Sequence, residues 1–209
     1  MSHLSAPELL VLHALRVKGM ADAATVTERF DLDRELVDEL LLDHEAFGWI
    51  SRVRFADIEG WALTTRGRVE DERRLATELD QTGTRSDVVA AHDAFVVLNS
   101  RFLAAITNWQ IRPELADPLA ANDHSDRRWD ERVLNDLGHL GAEVQPVSER
   151  LRSALHRFTG YGERYASALD KATDGERAWV SQPTIDSCHT VWMELHEDLL
   201  ATLGLKRGA

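Results

Sequence analysis

The stretch LLLDHEAFGWISRVRFADIEGWALTTRGR, residues 40–68, changes its hydrophobic period twice. Up to Gly48, the residues Leu36, Val37, Leu40 and Phe47 recur at the three- and four-residue spacing of one helix face, and Gly48 suits the turn that ends a helix. ISRVRF (50–55) then alternates apolar and polar residues, the period of a strand with one buried face. ADIEG (56–60) reads as a turn and WALT (61–64) as a second strand, so the two form a hairpin. TTRGRVEDERRLATEL (64–79) returns to helical spacing.

Upstream, SAPELLVLHALRVKG (5–19) opens like a helix. Ser5 is placed to cap, Pro7 suits the first turn, and Glu8 stands three residues after Ser5 to close a capping box. Leu9, Val11, Leu12 and Leu15 follow at helical spacing, and Gly19 ends the run. ADAATVTERF (21–30) reads as a second short helix, and residues 31–50 contain a third.

Three helices, a hairpin and a closing helix follow one another in about 80 residues. With LLLDHEAFGWISR and GWALTTRGR, this order resembles the MarR-like winged helix-turn-helix regulators. In those proteins the third helix ends in a Glu-x-x-Gly-Leu/Trp-Ile turn, and the second wing strand ends in Leu-Thr-x-x-Gly-Arg. The resemblance covers residues 5 to about 80. It implies a winged helix-turn-helix domain over 1–82, DNA binding, transcription regulation and a homodimer, because two half-sites need two readers.

Charge pulls the other way. The chain has a formal net charge of -12, and phosphate contacts supply most non-specific affinity for DNA, so any DNA binding needs a local basic patch. The front of the third helix offers Asp31, Asp33, Arg34, Glu35, Asp38 and Glu39, only one of them basic. The hairpin is richer, with Arg52, Arg54, Arg66 and Arg68 against Asp57 and Glu59. The expected DNA-binding residues are therefore Arg34, Arg52, Arg54, Arg66 and Arg68. The alternative is that these arginines decorate a winged domain that docks on a partner protein, regulating an enzyme without binding DNA.

After QTGTRSD (81–87), a polar link, no further strand is expected. Residues 88–109 read as a long helix, and 112–128, with Pro113 and Pro118, as a loop. Residues 129–158 read as helical with Pro146 kinking or restarting the helix, 161–173 as another helix, and the stretch after Pro183 to about Leu203 as the last. Residues 83–209 are thus expected to form a four-helix-bundle-like domain, and the fold class is mainly α.

Within the last helix, Ile185, His189, Trp192, His196, Leu199 and Leu203 share one face, which places Glu194, Glu197 and Asp198 on a solvated side. His189 and His196 lie two turns apart, about 10.5 Å along the axis, too far for one metal ion. On the long helix, Val88, His92, Phe95, Asn99, Phe102 and Ile106 repeat the pattern. Buried polar groups need partners. His92, Asn99, His189 and His196, with Asp186 a turn before His189, either satisfy one another or line a cavity for a small-molecule effector. The first of these two readings is favoured.

Enzyme signatures are missing. Cys188 and His189 are neighbours that point about 100° apart on a helix, and no phosphate loop, Gly-x-Ser-x-Gly or His-Glu-x-x-His occurs. No catalytic residue, metal or cofactor is expected. HTVWMELHEDLLATLGLKR is similar to the C-terminal ends of actinobacterial proteins associated with phosphoenolpyruvate-utilising enzymes. That resemblance supports the accessory-module alternative only, since none of that class's catalytic motifs appears. The N-terminus has no basic region before its apolar residues and no run approaches a membrane span, so a cytoplasmic protein without membrane contact is expected.

Overall fold

The computed structural model describes residues 2–55 and 58–206. It is mainly helical, with one two-stranded antiparallel sheet. The chain divides into two compact units that interleave in sequence. The first comprises Met1–Val89, Arg152–Arg157 and Glu194–Ala209, and the second comprises Ala90–Leu151 and Phe158–Met193.

In the first unit, α1 (Pro7–Lys18) starts on Pro7 as expected, but its cap is Ala6, with no side-chain cap bond, in place of Ser5. Helix α2 (Ala23–Phe30) is capped by Asp22, whose Oδ1 accepts from the Thr25 amide at 2.8 Å. Helix α3 (Arg34–Ala46) is capped by Asp33, which accepts from the Leu36 amide. Each cap satisfies an amide that the first helical turn leaves without a carbonyl. The core joins Val11, Leu12 and Leu15 of α1 to Val26, Val37, Leu41 and Ile50, with Trp49, Trp61 and Leu63 half-buried against them.

Gly48, at φ 71, turns the chain from α3 into β1 (Ile50–Phe55), which pairs with β2 (Ile58–Leu63) in the register Arg52↔Trp61 and Val53↔Gly60. The second strand is longer than the 61–64 expected. The expected turn at 56–60 falls partly on 56–57, outside the described residues. Ala21 forms an isolated antiparallel bridge on the other edge of β2: its amide donates to the Trp61 carbonyl oxygen at 3.1 Å, and the Trp61 amide donates back at 2.8 Å. This approach explains Gly60, where a Cβ would lie 2.7 Å from the Ala21 carbonyl oxygen.

The LTTRGR stretch has an equally local cause. Thr64 caps α4 (Thr65–Thr82): its Oγ1 accepts from the Gly67 amide at 3.1 Å and donates to the Gly48 carbonyl oxygen at 2.8 Å. Gly67 sits on the Trp49 carbonyl, which a Cβ would approach to 1.8 Å. Only glycine leaves room for the helix to start there.

Gly83 closes helix α4, and α5 (Arg85–Gln110) begins two residues later. The polar link expected at 81–87 is therefore mostly helix. Helix α6 (Arg127–Ala154) runs through Pro146 as one helix and does not restart. A short 3-10 turn (His156–Phe158) follows, then α7 (Tyr161–Thr173), a four-residue α8 (Ala178–Ser181) that the sequence spacing does not predict, and α9 (Cys188–Leu203).

In the second unit α6 contributes Val133, Leu137, Leu140, Val144, Val147 and Leu151, a run of alternating four- and three-residue steps, all buried. Gly141 lets the Tyr165 ring lie where a Cβ would be 2.8 Å from it, and the Tyr165 hydroxyl donates to the Leu137 carbonyl oxygen at 2.9 Å. Trp192 lies at the centre, parallel to Phe102 with centroids 4.2 Å apart and tilted against Phe95 and Tyr165 at 5.0 and 5.8 Å.

Candidate functional site

The five candidate DNA-binding arginines all lie in the first unit and all are exposed. Four face carboxylates of their own unit. Arg34 donates from Nε to Asp38 at 3.0 Å, and Arg54 bonds Glu59 across the hairpin. Arg52 stands 3.9 Å from Glu45 and lays its guanidinium over the Trp61 ring. Arg68 stands 3.9 Å from Glu197 of α9. Arg66 has no carboxylate partner among the described residues. Exposed pairs of this kind are worth about 0–1 kcal/mol, so each arginine stays available to a phosphate.

The outward face of α3 is different. Asp31 and Asp33 just before the helix and Glu35, Asp38, Glu39 and Asp43 on it are exposed, against one basic residue, Arg34, which pairs with Asp38. Leu42 and Phe47 are more than half exposed on the same helix end, Phe47 stacked on Trp49 at 4.6 Å. The surface is acidic with apolar residues at one end.

The candidate effector residues divide between the units. His92, Asn99, Asp186 and His189 belong to the second, His196 to the first. Asn99 accepts from the Trp192 indole Nε1–H at 3.0 Å. Asp186 takes both Nε and Nη2 of Arg164, at 2.7 and 2.8 Å. His189 lies parallel to the Phe102 ring, and burial pushes its pKa below the ordinary 6.5. His92 Nδ1 is 3.4 Å from its neighbour Asp93. Four of the residues expected to converge thus engage separate neighbours: a tryptophan, an arginine, a phenylalanine and an adjacent aspartate. Cys188 is buried and its thiol is pushed up to about 12 by that burial, which makes it a poor nucleophile. Among the described residues no group of three or more His, Cys, Asp or Glu side chains is placed to hold a metal ion.

The densest chemistry lies where the helical spacing predicts a solvated face. Asp198 is fully buried in the first unit, and Glu194 is nearly so. Asp198 Oδ1 lies 2.9 Å from His13 Nε2 and accepts a short hydrogen bond from Arg157 Nη1. Arg157 Nε donates to Glu78 at 3.1 Å, and its Nη2 donates to the Thr202 hydroxyl at 2.7 Å. His13 Nδ1 lies 3.3 Å from Asp71, whose carboxylate is buried with no hydrogen bond to either oxygen. Around this core, Lys18 reaches Glu194 at 2.8 Å, and Arg16 reaches Glu72 and Glu197.

Three buried carboxylates therefore face Arg157 and His13. Burial by itself would push the His13 imidazole down, but Asp198 and Asp71, one at each ring nitrogen, hold its pKa above 6.5. Burial would push the Asp198 carboxyl up, but Arg157 and His13 hold it well below the usual carboxylate range. With a carboxylate near each ring nitrogen, the surroundings of His13 favour the charged form of its imidazole over the neutral one. What this arrangement does chemically is clamp: it joins α1, α4, the 3-10 turn and α9 through charge.

One signal in the sequence points to it. Asp71, Leu75, Glu78 and Thr82 on α4, and Val191, Leu195, Asp198 and Thr202 on α9, follow the same steps of four, three and four as an apolar face. Polar residues at buried-face spacing on two helices need opposite charges from elsewhere, and His13 and Arg157 supply them. No protein-family model, no curated protein and no solved structure matches the chain.

Proposed function

We propose that the first unit is a winged-helix module that binds a partner protein through the outward face of α3, as an accessory or regulator without DNA affinity. The element order, with Ala21 bridged to β2, supports the winged-helix reading. The observation that carries the function is the acidic face of α3. In a winged helix this face would enter the major groove, between two rows of phosphates. Here it presents exposed carboxylates at Glu35, Asp38, Glu39 and Asp43, with Leu42 and Phe47 beside them. Such a surface repels a duplex and suits a basic protein segment carrying an apolar side chain.

A second reading, a DNA-binding transcriptional regulator, draws on the exposed arginines around the hairpin, Arg66 in particular, which has no carboxylate partner among the described residues. Fluorescence anisotropy with labelled duplexes, random and from the protein's own promoter, separates the two. Our reading expects no binding at roughly 50 mM salt, where phosphate-driven binding is strong. It also expects that Glu35→Lys with Glu39→Lys creates measurable, salt-sensitive affinity, because only the charge is wrong for DNA. Binding by the unaltered protein that falls steeply with salt and disappears in Arg52→Ala/Arg54→Ala/Arg66→Ala establishes the regulator reading and removes ours.

A further inference from the structure

We infer that α5 is a self-association surface, pairing antiparallel with α5 of a second copy of this chain. One side of α5 is buried in its own unit through Phe95, Phe102 and Trp109. The opposite side carries Ala90, Asp93, Val96, Val97, Ser100 and Leu103, none of them buried. Val97 is 66% exposed, Val96 46% and Leu103 44%. These apolar side chains cluster along one helix, where solvent-facing positions ordinarily carry charge. Against the expectation that no run approaches a membrane span, the helix also has the length and composition of a membrane-crossing one, with only a third of its most apolar window buried.

The distribution of charge along the face selects its occupant. Asp93, 74% exposed, lies on the midline of the stripe, four residues before Val97. A lipid interior would have to desolvate that carboxylate. A parallel copy would set Asp93 against Asp93, two like charges in a narrowing interface. An antiparallel copy, turned about a two-fold axis between Val97 and Ser100, removes the conflict. Val97 then lies against the small Ser100, Val96 near Leu103, and Asp93 beside Ala104, one turn from Arg101. Arg101 is half exposed and already aligned by two hydrogen bonds to Glu143 of α6, at 2.6 and 2.8 Å, so its guanidinium is held at the edge of the stripe. Large meets small and negative meets positive, the self-complementarity that a two-fold interface requires.

Sedimentation of the full chain, read against concentration, tests this. A monomer–dimer equilibrium is expected. Val97→Glu, at an exposed position that leaves the fold intact by circular dichroism, is expected to weaken the dimer at least tenfold. Leu119→Glu, at an exposed loop residue, is expected to leave it unchanged. Orientation is read by cysteine pairing, since the native Cys188 is buried. Asp93→Cys and Ala104→Cys chains are expected to cross-link when mixed and not when separate. A monomer at every concentration, a dimer indifferent to Val97→Glu, or self-cross-linking of Asp93→Cys alone would overturn the proposal. Binding to anionic vesicles that Val97→Glu abolishes, without any dimer, would overturn it in favour of a lipid surface.

Discussion

Where α1, α4 and α9 meet in the first unit, ions (His13, Asp71, Glu78, Arg157 and Asp198) are buried beside the small apolar cluster of Leu9, Leu75 and Ala201. Where α5, α7 and α9 meet in the second, the buried groups are rings: Phe95, Phe102, Tyr165 and Trp192, with Asn99 as the polar anchor of the indole. The same helix serves both, through Trp192 for the rings and, six residues on, Asp198 for the ions. Rings in a core contribute area and tolerate modest changes of shape. Buried ions contribute little net stability, because each must leave water, but they punish any partner that is absent. The first unit is therefore the one whose segments are selected by charge. Residues 152–157 and 194–206 fit there because they bring a guanidinium and a carboxylate to groups that need them.

Breaking the ionic side should have the largest effect. Arg157→Met leaves Glu78 and Asp198 buried without their cation and is expected to cost about 3–5 kcal/mol in urea unfolding. Adding Asp198→Leu and Glu78→Met to that variant should restore much of the loss, because an apolar set of similar volume needs no compensation. A variant series in which each neutralisation only adds further damage would show that the network contributes net stability, and the contrast between the units would narrow.

On the aromatic side, Trp192→Phe keeps most of the ring contact and removes the hydrogen bond to Asn99. The expected loss is about 2 kcal/mol, from the unpaired amide and the smaller ring. Asn99→Leu combined with Trp192→Phe should recover part of it. A loss as large as that of Arg157→Met would mean that the indole–amide bond, and not the ring packing, holds the second unit.

The smallest effect is a pH dependence confined to the first unit. His13 has a raised pKa in the folded protein, so its stabilising contribution is complete below about pH 6.5 and is lost as pH rises through the folded value. His44, buried with Nε2 on the Glu8 carbonyl oxygen, is pushed below 6.5 by that burial and acts in the opposite sense. The comparison of unaltered protein with Asp71→Asn isolates His13. As pH rises above 6.5 the unaltered protein should lose more stability than the variant, because the raised His13 pKa needs the Asp71 charge. Equal slopes would show that Asp71 does not hold the imidazolium.

The local devices around the hairpin are legible in the residues themselves. Gly48 acts through its own positive φ, and Thr64 and Gly67 act on the Gly48 and Trp49 carbonyls at the far end of the same hairpin, so the devices all lie within the stretch 40–68. The caps at Asp22 and Asp33 and the helical spacing of α1, α5 and α9 are of the same kind. Ser5 has the chemistry of a cap, but α1 starts at Pro7 and the cap position falls to Ala6. Pro146 does not restart α6, since the buried residues on both sides of it, Leu140 and Val144 before and Val147 and Leu151 after, continue a single face.

What tertiary structure alone decided was the fate of the charged residues. Asp198 and Glu197 are adjacent carboxylates on one helix, yet one is fully buried and the other partly exposed, because Arg157 and His13, far away in sequence, meet only the first. Likewise Asn99 and Asp186 read alike as candidates for one site, and the fold pairs the first with an indole and the second with an arginine. A helical period says which side of a helix is covered; whether a polar group on that side is a defect, a clamp or a site depends on partners that periodicity does not encode. The sequence by itself determined the elements and the turns between them, through short-range sterics. The pairing of buried charges, and with it the joining of distant segments in one unit, came only from the folded chain.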